Sequence, residues 1–239
     1  MNISTFNAFK NRNYRLYFGG QSLSLIGTWM QKTAVTWLVY SMTHSAFMLG
    51  VTVFATQFPM FLFSLLGGIT SDRYNRFKVL LITQVLSMVQ AAVLTIFTFT
   101  NHYTVWEILT FSVILGTINA FDVPARQPMV HEMISDKADL PNALALNSSM
   151  VNLAKLLGPA LSGIVLERFG AGICFLINTV SFLAVIISLL RMNLPEYIPA
   201  TEKKKVVADL VEGFVYVKNT PVLRNILMMP KMDQVTYPN

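Results

Sequence analysis

The chain has 239 residues, of which 54% are hydrophobic and only 13% charged, and its mean hydropathy is +0.52. A soluble domain carries about 25% charged residues, so this composition excludes a water-soluble globule and marks an integral membrane protein. The formal net charge is +6, but the cations fall in short segments between apolar runs. There they set topology and meet anionic lipid headgroups, not nucleic acid. The one cysteine, Cys174, lies in an apolar run, which leaves no disulfide framework and no thiolate metal site.

In chain order, residues 1–15 form a short amphipathic cytoplasmic lead-in with Lys10, Arg12 and Arg15. The first predicted span is 16–40. No cleavage-type site follows it, so it reads as a retained span and not a secretory signal. A helix of about 20 residues crosses the hydrocarbon core, and this run crosses with some tilt. The second span is 46–69 and contains Pro59, which should kink it. A stretch of glycine, polar and charged residues follows: Gly67-Gly68-Ile69-Thr70-Ser71-Asp72-Arg73-Tyr74-Asn75-Arg76-Phe77-Lys78. Such residues belong in water at one membrane face, so the sequence predicts a hinge loop there. Spans three and four are 79–99 and 105–121. A polar cytoplasmic stretch, 123–142, is expected to be broken by Pro124, Pro128 and Pro141, with Asp139-Leu140-Pro141-Asn142 as a turn into a helix start. Span five is 143–165 and span six 173–190.

Segments 191–221 form a basic linker holding Lys203-Lys204-Lys205, in which 206–217 has the spacing of an amphipathic helix on the membrane face. Residues 222–239 read as the truncated start of a seventh span, because the apolar run meets Pro230, Lys231, Asp233 and Pro238. Cations test the layout. The segments assigned to the cytoplasm hold fourteen Lys or Arg through Arg224, and the outer turns hold one, Arg168. By the positive-inside rule this gives six spans in the cytoplasmic (inner) membrane with both termini in the cytoplasm.

The spacing Gly68-x-x-x-Asp72-Arg73-x-x-Arg76-x-Lys78, set between two spans, resembles the loop signature of the major facilitator superfamily of transporters. Within it the chain is most similar to the transmembrane secretion effector group, which includes enterobactin-exporter-like and macrolide-efflux-like proteins. That resemblance is carried by Asn13-Tyr14-Arg15-Leu16-Tyr17-Phe18, Gly27-Thr28-Trp29-Met30-Gln31, Trp37-Leu38-Val39-Tyr40, Pro124-Ala125-Arg126-Gln127 and Asn142-Ala143-Leu144-Ala145-Leu146-Asn147. The resemblance implies an all-α membrane fold: six transmembrane helices forming the amino-terminal half of the major facilitator fold. It further implies a secondary active exporter of siderophore or drug-like molecules that works by alternating access on an ion gradient. Two other readings stay open, a truncated non-transporting remnant and a half-transporter that dimerises. The partners implied are the lipid bilayer, a small-molecule substrate, and a missing carboxy-terminal half or a second copy. Asn75 stands where the superfamily has glycine, and is expected to keep the turn through its tolerance of a left-handed backbone. Ala154 and Ser162 replace glycines of the antiporter signature around Gly158-Pro159.

The resemblance implies a conformational latch of Asp72, Arg73, Arg76 and Lys78, with Gly68 at its turn; the bland reading of these cations is topology. Lys32 is the most informative residue inside the membrane, since a lysine at mid-bilayer costs about 2.5–3.5 kcal/mol on insertion scales. It either faces a water-filled cavity, where it attracts an anionic or catecholate-like substrate, or snorkels about 12 Å along the helix toward Tyr40. Gln21, Trp29, Gln31 and Lys155 are the other cavity or substrate candidates. Lys155 needs a partner, either a carbonyl freed near Pro159, Asn152 or the absent half. Gly158, Pro159 and Gly163 are the helix-bend residues. Glu107 and Asp122 mark the ends of span four. Neither reads as deep, so both are expected as interfacial caps or loop contacts, with Glu107 the candidate proton site. His44, His102 and His131 fall in predicted loops without metal-site spacing. No glycine-rich lysine loop for nucleotide occurs, so the chain reads as a non-enzyme without cofactor.

Overall fold

The computed structural model describes residues 6–134 and 136–193. The predicted linker and tail beyond residue 193, including 206–217, lie outside the described residues. Among these, every regular element is helical, and six long helices dominate: α1 Arg12–Thr43, α2 Ala46–Arg73, α3 Arg76–Phe99, α4 Val105–Met133, α5 Leu140–Phe169 and α6 Ala171–Leu190. Short 3₁₀ turns precede α1 (Asn7–Lys10) and α5 (Lys137–Asp139). The turns between helices are tight. His44 (φ 48°) ends α1, and Gly170 (φ 79°) alone separates α5 from α6, a backbone region that glycine enters without steric cost.

α2 packs chiefly on α4, α1 on α6 and α5, and α3 on α6 and α4. Two apolar clusters hold the bundle. At the end bearing residue 6, Tyr14, Tyr17, Leu80, Met129, Val130 and Leu189 are buried together. Toward the other end Met30, Ala34, Val39, Ile108, Cys174 and Phe175 pack. The lead-in is tied down by Ala8 N donating to Asn142 Oδ1 (3.1 Å) and by Tyr14 Oη donating to Ala143 O (2.9 Å).

Five of the six long helices, α2 to α6, are long and apolar enough to cross a membrane. α1 has the length, at 32 residues, but not the hydropathy. Its polar residues turn inward: Gln21 and Gln31 are each 1% exposed and Ser24 2%. Gln31 is satisfied across the bundle instead of meeting lipid, whereas neither amide atom of Gln21 has a hydrogen-bond partner. Gln31 Nε2 donates to Gln90 Oε1 (3.0 Å), and Asn178 Nδ2 donates to Gln31 Oε1 (2.7 Å).

The structure corrects the predicted boundaries near the hinge. α2 continues through Gly67, Gly68 and Asp72 to Arg73, so the loop is only Tyr74-Asn75. Asn75 is not left-handed. With φ −59° it caps α3, its Oδ1 accepting from Phe77 N (2.9 Å) and Lys78 N (3.3 Å). α4 does not stop near Asp122 but runs through Pro124 and Pro128 to Met133, which places His131 on a helix. The expected break fails because the helix partner absorbs it. A proline has no N–H for the carbonyl four residues back, so Pro124 frees Ala120 O and Pro128 frees Pro124 O. Ser71 Oγ on α2 donates to Pro124 O (3.2 Å), and Gly67 packs directly on Ala120 O. The predicted start of the fifth helix holds, with Pro141 in its first turn.

A side chain on Gly67 would collide with backbone, whereas one on Gly68 would meet nothing within 4 Å. Gly67→Val is therefore expected to destabilise the bundle by about 1–3 kcal/mol, with Gly68→Val near neutral. Thermal exposure of the buried Cys174 thiol to a thiol-reactive dye measures both. Equal melting of the two variants would refute the close α2–α4 contact.

Candidate functional site

Three polar constellations stand out from the apolar bundle. The first is at the α2–α3 end. Arg76, in the first turn of α3, reaches three acceptors: Nη1 to Glu132 Oε1 at 2.7 Å, Nη2 to Asp72 Oδ1 at 3.6 Å, and Nε to Ser71 O at 3.2 Å. It clamps the ends of α2 and α4 together. Asp72 remains largely exposed, its side chain 76% accessible. Of the predicted latch residues, the structure joins Asp72 and Arg76. Lys78 contributes its backbone N–H to the Asn75 cap.

The second constellation is a cavity of about 600 Å³ between α1, α2 and α4, with Gln90 of α3 and Pro159 of α5 at its wall. Its α1 residues run from Trp29 to Tyr40 and its α2 residues from Leu49 to Gln57. It therefore lies in the half of the bundle that holds the α1–α2 turn. Trp37 and Val53 line it yet are 56% and 57% exposed, so it is open on that side. Lys32 stands in its wall with Nζ 4.5 Å from the centroid of the Trp29 ring, and Lys155 Nζ lies 6.0 Å from the same centroid. A cation over an indole gains about 0.5–2 kcal/mol, more as water is removed. Snorkelling toward Tyr40 is not what Lys32 does; it folds back one turn onto Trp29. Gly158 brings α5 against Trp29, where a side chain would strike the Trp29 Cβ and the Ile26 carbonyl. Ala154, Gly158 and Ser162 make a buried stripe against α1, and Ser162 Oγ donates to Met30 O (3.2 Å).

In the third constellation the i, i+4 spacing of Asp122 and Arg126 is legible in the sequence, but the burial of Asp122 and its partners on α3 are not. Asp122 is only 2% exposed, not a shallow cap. It forms an ion pair with Arg126 one turn on, and Oδ1 accepts from Thr83 Oγ1 (2.9 Å) and Gln84 Nε2 (2.7 Å) of α3. Pro124 had been expected to end the helix between them. Because α4 continues, the i, i+4 spacing becomes a real pair facing α3. Glu132, likewise placed by that continuation, is the other acid missed. Gln21 is buried on α1 away from the cavity lining, as is Tyr17 one turn earlier. Glu107 sits at the first turn of α4 in a capping box, its Oε2 accepting from Thr104 N (2.6 Å) and Thr104 Oγ1 (2.9 Å). Trp106 beside it is 73% exposed, as an interfacial aromatic would be. Gly163 meets open space. Among the described residues no group of three or more His, Cys, Asp or Glu could hold a metal ion.

The family model for transmembrane secretion effectors matches residues 3–232. The chain belongs to this family. Among curated relatives, the chain is 24% identical to the staphyloferrin A transporter of Staphylococcus aureus, over 92% of this chain and 61% of that protein. It is also 24% identical to the enterobactin exporter EntS of Shigella flexneri, over 94% of this chain and 54% of that protein. The chain thus spans between half and two thirds of the length of these relatives. The fold is similar to that of the POT family transporter PepTSo, with a TM-score of 0.67 at 16% identity, covering 94% of this chain and 44% of that one. With five helices among the described residues long and apolar enough to cross a membrane, and as a member of this family, the chain is a multi-pass membrane protein.

The buried and the exposed ion pairs differ sharply in expected worth. Asp122→Asn leaves Arg126 unpaired in the bundle and should cost about 3–5 kcal/mol. Glu132→Gln removes a partly exposed partner of Arg76 and should cost at most about 1 kcal/mol. Thermal unfolding in detergent micelles ranks them; a Glu132 variant that melts below the Asp122 variant would reverse the assignment.

Proposed function

We propose that this chain forms the amino-terminal six-span half of a secondary active exporter in the cytoplasmic membrane, with both termini in the cytoplasm. Small molecules, siderophore or drug-like, would be carried by alternating access driven by an ion gradient. The observation that carries this reading is the cavity at Trp29, Gln31 and Lys32. Its volume of about 600 Å³ falls within the range of small-molecule sites, and its wall mixes apolar surface with a few polar groups. A transporter holds its substrate near the midplane between two halves that rock against each other. In that scheme the cavity is this half's share of the substrate site, and Lys155 on α5 stands at the boundary with the other half.

The Arg76–Asp72–Glu132 cluster would serve as the latch. Arg76 holds α2, α3 and α4 at one end of the bundle, while Asp72 keeps enough exposure to meet a partner from a second half. Arg73 and Lys78 complete the local charge. Pro159, in the cavity wall, and Gly158, at the α1 contact, would set the curvature of α5, with Gly163 unencumbered beyond them. Relatives named as a staphyloferrin A transporter and an enterobactin exporter support transport of small molecules as the class of function.

The test is accumulation of a panel of dyes, macrolides and siderophores in efflux-deficient bacteria. The cells express the 239-residue chain alone, or fused to the complementary six-helix half of a relative, each with and without Asp72→Asn. Lower accumulation by the fusion, reversed at least about tenfold in transport rate by Asp72→Asn, is the expected result. Activity of the chain alone would mean that it works as a dimer. Full accumulation in every strain would refute the transporter reading and leave a non-transporting membrane protein.

A further inference from the structure

Two cations from different helices converge on the Trp29 indole; the indole and Lys32 line the cavity, and Lys155 stands beside the ring, outside the lining. Lys32 comes from α1 and Lys155 from α5, with Nζ atoms 4.5 and 6.0 Å from the Trp29 centroid. The convergence is fixed by helix packing, because Gly158 seats α5 against Trp29 less than one turn beyond Lys155. Neither ammonium has a carboxylate partner among the described residues; Asp72 and Glu132 pair with Arg76, and Asp122 with Arg126. The residues lining the cavity include no Asp or Glu. Two like charges on one ring repel, and they do so more strongly where water is thin. The ring's negative face can offset only part of this.

The remaining polar lining does not supply the missing charge, but it does have a direction. Thr33, Thr36, Thr52 and Thr56 each donate their hydroxyl proton to a carbonyl of their own helix, to Trp29 O, Lys32 O, Met48 O and Thr52 O. What they offer the cavity is lone pairs. They accept from a ligand's hydroxyl or N–H group and cannot solvate an anion without breaking those bonds. Gln57, Trp37 and Tyr40 add neutral N–H and O–H donors to the lining, so the positive charge that recognises an anion comes from the two lysines.

We infer that Trp29, Lys32 and Lys155 form a binding site for a compact polycarboxylate, one carboxylate on each lysine, whose own hydroxyl or N–H groups meet the threonine oxygens. A neutral or cationic cargo would leave both lysines uncompensated, and a monoanion would leave one. The assignment rests on the transporter reading only in taking this cavity as the cargo site; binding itself needs no transport.

The experiment uses the full chain in detergent micelles. Two of its three tryptophans, Trp29 and Trp37, line the cavity, so emission reports occupancy. Tricarballylate is the polyanionic probe, butyrate the monoanion and succinamide the neutral control. Tricarballylate should give a saturable change, with binding about tenfold weaker in Lys155→Gln and in Lys32→Gln, and recovered in Lys155→Arg. Butyrate should bind about tenfold more weakly than tricarballylate, and succinamide should give no saturable change. The assignment is overturned if tricarballylate gives no saturable change, if succinamide matches it, or if Lys155→Gln leaves the titration unchanged. Failure here with efflux intact would reject the substrate class alone; binding here without efflux would reject transport and keep the site.

Discussion

A backbone polar group buried between packed helices needs a partner or close cover within the protein, and the contact between α2 and α4 shows what that constraint builds. Two prolines in α4 strand the carbonyls of Ala120 and Pro124. α2 answers with Ser71, which donates to one, and with Gly67, which presses its backbone on the other. Because those carbonyls are covered, α4 runs on as a helix to Met133. That continuation places Asp122, Arg126 and Glu132 on one element. Arg76 then finds Glu132, and Asp122 finds both Arg126 and α3. The two charge clusters at this end of the bundle both follow from how a proline defect was closed.

The same constraint orders the polar side chains. α1 is too polar for lipid on every face, so it sits where Gln31 meets Gln90 and Asn178. Pairing is not complete elsewhere, since the Gln21 amide and Tyr17 Oη are buried without a hydrogen-bond partner. At the cavity the deficit is one of charge: Lys32 in its lining, and Lys155 beside the same indole, have an aromatic ring but no acid. Asp122 is met by Arg126, Thr83 and Gln84, whereas these two cations meet no carboxylate among the described residues. This asymmetry is the physical argument for a ligand there.

The membrane class and the number and rough placement of the long helices were legible in the residues, and Lys32, Trp29 and Arg76 could be singled out there as candidates. Apolar runs of this length have few other uses, and a lysine within one is costly enough to single itself out. The start of α5 was legible for a related reason, since Pro141 fits the first turn of a helix. The capping box at Thr104 and Glu107 is equally local. Each of these features depends on neighbours a few residues apart.

What the residues alone could not give depended on a second helix. Pro124 and Pro128 read as breakers, since nothing local says that Ser71 and Gly67 will meet their carbonyls some fifty positions away in sequence. For the same reason Gly67 and Gly68 look alike in the chain, yet one is pressed on a backbone and the other faces open space. Asp122 looked shallow because the helix seemed to end there. Lys155 seemed to want a carbonyl or an asparagine, and instead lies near a ring on α1. The residues alone show which segments are apolar enough for a membrane and which charges would be expensive there. How those charges are met was set by packing, because a helix fixes its own backbone bonds locally but leaves its side chains to be satisfied by whichever helix packs against it.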